Sequence, residues 1–107
     1  MDARLPAHLE VSGLIRAVEH AGGFATVIAR GERDAGTLLV VCCTKGGPAT
    51  AYERMPQLDG TRSWTTTRSQ DADNPQEFWE YLDRRKQRDH DLWIVELDVP
   101  EWERFIA

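Results

Sequence analysis

The segment Gly31-Glu32-Arg33-Asp34-Ala35-Gly36 sets three charged side chains between two glycines, and its residue types are the ones most suggestive of chemistry. Glu32 and Asp34 have oxygens for a cation or for acid–base work, and Arg33 carries the planar fork that grips an anion. The same six residues also describe a hairpin turn, with Asp34 bonding its own backbone and the glycines taking positive φ. The turn is the simpler reading. The segment is not a phosphate loop, because it lacks the lysine that ends such loops and joins two strands instead of opening a helix.

The remaining candidates are weaker. His8 and His20 fall near opposite ends of one helical segment, roughly 18 Å apart, too far to share an ion. His90 stands between Asp89 and Asp91, but immediate neighbours in a chain cannot all converge on one metal. Cys42 and Cys43 are adjacent, so on a strand they point to opposite faces; neither a zinc pattern nor a C-x-x-C redox motif is present. They read as small buried strand residues. Ser12, Ser63 and Ser69 lack the flanking glycines of a nucleophile elbow. The basic run Arg84, Arg85, Lys86 and Arg88, with Trp79 and Tyr81 nearby, could contact nucleic acid by charge and stacking. A helix end whose cations complement the dipole accounts for the same residues.

Composition narrows the classes further. The chain has 107 residues, of which 29% are charged and 41% hydrophobic, values typical of one globular domain. Its formal charge is −5, from 18 acidic and 13 basic side chains, which argues against nucleic acid and anionic lipid as partners. The residues from Met1 to Glu10 contain no apolar signal-peptide core, and no run approaches the ~18 apolar residues of a membrane span. The expected location is the cytoplasm, with no metal or cofactor.

These residues must be positioned by alternating helical and extended segments. Val11, Leu14, Ile15 and Val18 recur with helical spacing, predicting a helix from about Ala7 to Ala21 that Gly22–Gly23 ends. Phe24–Arg30 and Thr37–Thr44 are apolar, β-branched runs that predict strands, joined as a hairpin by the Gly31–Gly36 loop. Lys45–Pro48 forms a turn into the half-polar strand Ala49–Met55, and Pro56–Gly60 forms another into Thr61–Arg68. Four consecutive strands with such short links predict an antiparallel meander. Asn74, Pro75 and Glu77 then occupy N-cap, N1 and N3 of a second helix, an Asn version of the capping box. Leu92–Val99 alternates as a last strand that Pro100 stops, and Trp102, Phe105 and Ile106 predict a turn packing back on the body.

The ending Ala21-Gly22-Gly23-Phe24 of the first helix, the Gly31–Gly36 loop and the segment from Asp89 to Glu96 together resemble a known family. It is domain of unknown function 1491, a set of roughly 100-residue bacterial proteins found mainly in alphaproteobacteria. The resemblance covers nearly the whole chain in order. Where the family loop reads Gly-Asp-x-Asp-Ala-Gly this chain has Glu32, which keeps the charge. The resemblance implies a bacterial cytoplasmic protein and brings no activity; it draws attention to Asp34, Gly36, Trp64, Asp91 and Trp93.

The expectation is thus a single α+β domain over residues 1–107. An antiparallel sheet of about five strands, in the order α-β-β-β-β-α-β, carries two packed helices. No convergent catalytic set is visible. The leading functional reading is a non-enzymatic protein-interaction or self-associating domain, a homodimer among its forms, using a sheet face or edge around Trp64, with Trp93 as a second interface candidate. One alternative is a small enzyme or ligand-binding protein with its site at Glu32, Arg33, Asp34 and Gly36. Another is weak nucleic-acid binding through the basic end of the second helix.

Overall fold

The computed structural model describes residues 5–56, 58–59 and 62–106. Gln57, Gly60 and Thr61, which belong to the turn expected after the third strand and the start of the fourth, lie outside the described residues. The elements are α1 (Ala7–His20), β1 (Phe24–Ala29), β2 (Leu38–Cys43), β3 (Thr50–Pro56), β4 (Arg62–Ser69), α2 (Pro75–Arg88) and β5 (Trp93–Asp98), followed by a 3-10 turn at Trp102–Phe105. The fold is α+β, with the expected order of two helices and five strands.

The strand order corrects the expected meander. The sheet runs β1-β5-β2-β3-β4, so only β2, β3 and β4 follow one another as antiparallel neighbours. The last strand inserts between β1 and β2, antiparallel to the first and parallel to the second. The hairpin expected between β1 and β2 therefore does not exist. β4 and β5 both run parallel to β2, and such a connection needs a crossover of a dozen or more residues, which α2 supplies. Because α1 and α2 pack on opposite faces, β2 is buried along its whole length.

Alternation on β2 sorts the core into two layers. Leu38, Val40 and Cys42 pack with Val11 and Val18 of α1 and with Val95 and Leu97; Leu39, Val41 and Cys43 pack with Phe78, Tyr81 and Leu82 of α2. The two thiols are free and buried on opposite faces, as expected from their adjacency. Burial pushes Cys42 up to about 12 and Cys43 up to about 11, the latter with help from the carboxylates of Asp98 and Glu96. Asn74 and Pro75 sit at N-cap and N1 of α2 as expected, but Asn74 makes no side-chain cap bond. The capping box does not close because Glu77 turns to the sheet and pairs with Arg68. Arg85 likewise ties α2 to β3 through Glu53 at 2.8 Å, an ion pair that raises the guanidinium pKa.

The Gly31–Gly36 segment has to bridge β1 and β2 over the end of the strand between them. Neighbouring strands lie about 4.8 Å apart, so the span is about 10 Å, within easy reach of eight residues. The segment clamps β5 as it passes. Glu32 N–H donates to Asp91 O at 3.0 Å, Trp93 N–H donates to Thr37 O at 2.9 Å, and the Trp93 indole N–H donates to Glu32 O at 2.7 Å. Its carbonyls also cap α1: Ala7 N–H donates to Asp34 O at 3.0 Å and His8 N–H to Arg33 O at 2.9 Å. Two of the helix's orphan donors are thus satisfied by a loop distant in sequence.

Neither Gly31 nor Gly36 has positive φ, contrary to the turn expectation. They are glycines for want of space. A Cβ on either would press into the Asp91 carbonyl, and one on Gly36 would also lie 2.9 Å from Trp93 Cδ1. Gly36→Ala is expected to destabilise the fold by at least about 3 kcal/mol, because backbone is the obstacle and cannot rotate away. Gly13, in the open middle of α1, is the matched control. There the same change should add about 0.5–1 kcal/mol. Urea unfolding of the two variants checks both signs.

Two further outcomes follow from the buried groups. At neutral pH the native thiols should react with an alkylating reagent at least about a hundredfold more slowly than a free thiol, and at the ordinary rate in denaturant. Glu96 is half-buried, and desolvation, with Asp98 adding, holds its carboxyl above the usual range. The folded chain then binds the extra proton, so this group's contribution to stability falls as pH rises from about 4.5 through the folded value. Glu96→Gln should remove that decline and raise the urea midpoint at pH 7.

Candidate functional site

The crossing segment forms one wall of a cleft of about 310 Å³ between α1 and β1. His8, Val11, Ser12 and Ile15 enter it from successive turns of α1, Val27 from β1, Arg30 from the residue just after β1, Gly31 and Arg33 from the crossing segment, and Trp93 from the start of β5. Of the apolar residues, Val11 and Trp93 belong to the core on the α1 face and Ile15 packs against it, while Val27 is exposed. The polar ones gather where α1 begins, beside the Arg33 carbonyl that caps it.

The cleft is electrostatically one-sided. Arg30, Arg33 and His8 line it and no carboxylate does. Among the described residues neither arginine is ion-paired; Arg30 instead sits 5.7 Å from the Trp93 ring centroid, an attractive cation–π distance. Asp34 stands just outside, its Oδ1 3.9 Å from His8 Nδ1. His8 Nδ1 also lies 3.0 Å from Arg33 O, and since a carbonyl only accepts, that nitrogen carries the proton. Ser12 Oγ donates to His8 O at 2.9 Å. The hydroxyl therefore engages backbone, not the imidazole, and the pair does not form an activated nucleophile.

The four loop residues singled out from sequence separate in space. Glu32 accepts the backbone N–H groups of Asp34, at 2.8 Å, and of Ala35. Those two bonds, Ala35 first, hold its carboxyl below the usual range, so it is an ionised brace for the loop. Sequence reasoning assigned that brace to Asp34, whose side chain is instead exposed. Arg33 faces the cleft, and Gly36 lies against Asp91 O and Trp93. Glu32, Arg33 and Asp34 do not converge on one point.

The two tryptophans proposed for an interface also part ways. Trp93 is 4% exposed and belongs to the core on the α1 face. Trp64 is half-buried on β4, and the Arg54 guanidinium covers its ring at 4.7 Å while pairing with Glu10 of α1 at 2.9 Å. Of the basic run, Arg85 is consumed by Glu53 and Tyr81, while Arg84, Lys86 and Arg88 are exposed. Lys86, Asp89 and His90 border a smaller cleft of about 200 Å³ with Ile28, Ala29, Arg30 and Leu92. Among the described residues no three His, Cys, Asp or Glu side chains come together, and no helix is long and apolar enough to cross a membrane.

Sequence reasoning missed Arg30 and treated His8 only as a metal ligand. The available signal was slight: an arginine that closes an apolar strand immediately before the glycine segment holding a second arginine.

No curated protein matches the chain. Solved structures do. It is similar to a crystal structure from Caulobacter crescentus with 30% identity and a TM-score of 0.81, covering 97% of this chain and 96% of that one. A solution structure from A. tumefaciens has 30% identity and a TM-score of 0.77, covering 96% and 92%. An NMR structure from C. crescentus has 29% identity and a TM-score of 0.79, covering 96% and 93%. Both C. crescentus structures are described as those of a DUF1491 family protein. The sequence model of that family, "Protein of unknown function (DUF1491)", matches residues 5–107. With the fold shared along its length and the family match spanning nearly all of it, the chain belongs to the DUF1491 family.

Proposed function

We propose that this protein is a non-enzymatic interaction domain that self-associates through the free edge of β1. The observation that supports this is the character of that edge. Phe24, at 75% exposure, and Val27, at 37%, stand on a strand (FATVIA) without a single charged residue. An edge strand exposes unpaired backbone N–H and C=O groups, and charged side chains are one common way proteins keep such an edge from pairing. The other edge, β4, is built from serine, threonine and arginine around Trp64. The two edges are not equivalent, and the interface moves from the Trp64 side favoured by sequence to the opposite side of the sheet.

A second copy fits this edge by symmetry. Antiparallel pairing of β1 with β1 is isologous, so one two-fold axis closes the assembly. With the axis at Thr26, Phe24 faces Ile28 of the other copy and Ala25 faces Val27, matching apolar side chains on each face. The irregularity between Val27 and Ala29 limits regular pairing to a short stretch. A contact of that size belongs to the weak, reversible class.

Sedimentation velocity over a wide concentration range tests the reading. A monomer–dimer equilibrium is expected. Phe24→Lys and Thr26→Lys, both at exposed positions, should raise its dissociation constant at least about tenfold, or about 1.4 kcal/mol. A strict monomer at every concentration sinks the proposal. So does a dimer that survives both changes, or one that Trp64→Ala abolishes.

A further inference from the structure

We infer that the cleft between α1 and β1 binds a small organic anion with an apolar body. Its acidic head would meet Arg30 and Arg33, and its body would lie against Val11, Ile15, Val27 and Trp93. This goes beyond self-association, and of the residues it rests on only Val27 also belongs to the proposed dimer edge.

Three observations combine. The volume, about 310 Å³, lies in the range of small-molecule sites and far exceeds what one water or ion fills. The chain is acidic overall, at −5, yet this cleft gathers two arginines without a carboxylate in its lining. Neither guanidinium is held in a salt bridge among the described residues, whereas Arg54, Arg68 and Arg85 each pair with a carboxylate. The site is also rigid. Trp93 is pinned through its indole N–H to Glu32 O, Gly31 is wedged against Asp91, and the Arg33 carbonyl is held by the His8 N–H. The backbone and the indole wall therefore need little ordering on binding.

The chemistry excludes other ligand classes. A divalent cation would find guanidinium in place of carboxylate. Inorganic phosphate would satisfy the arginines but leave the apolar wall uncovered. A neutral apolar molecule would gain nothing from the two guanidiniums. A medium-chain or aryl carboxylate meets both halves, since the arginine fork matches carboxylate geometry.

Octanoate is the probe, with octanamide and inorganic phosphate beside it, and binding is read by nuclear magnetic resonance from the Trp93 indole N–H and the Val11 and Val27 amides. Octanoate should give saturable shifts at all three. The amide should bind at least about tenfold more weakly, phosphate should leave the Val11 and Val27 amides unmoved, and Arg30→Gln/Arg33→Gln should weaken octanoate at least about tenfold. The paired Arg→Lys variant should recover part of that loss, and an unshifted Trp93 indole resonance before titration shows that the fold is intact. Phe24→Lys, which acts on the dimer edge, should leave octanoate binding unchanged. Absence of saturable shifts, equal binding of acid and amide, equal binding of phosphate, or indifference to the double Arg→Gln change would each overturn the assignment.

Discussion

The carbonyl of Asp91, enclosed between Gly31 and Gly36, is the contact on which the rest of this fold depends. Bringing β5 into the middle of the sheet separates β1 from β2, and the chain between them has to pass over the end of β5. It can do so closely only where side chains are missing. Once there, the crossing segment satisfies four elements together: it bonds the chain entering β5, holds the Trp93 indole, connects β1 to β2 and caps the first turn of α1. Each bond alone contributes on the order of 1 kcal/mol. Their joint effect is larger because all of them require the same backbone path.

That path also settles what the charged residues of the segment do. Glu32 folds back on two amides of its own loop, in the manner of an Asx-type turn made with the longer side chain. Its carboxyl is low because backbone donors favour the charged form. Arg33, one residue on, is directed to the other side and joins Arg30 at the cleft. The acidic character of the sequence motif and the basic character of the cleft are thus two outcomes of one backbone geometry. In the sequence the acids stand together; in space the arginines do.

The sheet is held from both sides by different means. On the α1 face the packing is apolar, reinforced by the Glu10–Arg54 pair over Trp64. On the α2 face two arginines, Arg68 and Arg85, link strands to helix, both close to the Tyr81 ring. These partly exposed pairs contribute modestly to stability, and their larger effect is to set the position of the helix on the sheet. Both faces of the centre are therefore covered, while Phe24 and Val27 on the β1 edge stay exposed.

Local physics made much of this legible in advance. Helical spacing from Val11 to Val18, the apolar run ending in Cys42 and Cys43, and Asn74-Pro75 at a helix start each depend on neighbours within a turn or a few strand residues. All appear where the sequence placed them. Strand order did not follow, because β1 and β2 carry equal credentials for pairing with each other or with β5. A link of eight residues permits either, and the choice is made by how the whole core closes. For the same reason the glycines of the crossing segment were visible as glycines while their cause was not: sequence suggests a dihedral requirement, and tertiary structure shows a carbonyl from sixty residues away filling the space where a Cβ would stand.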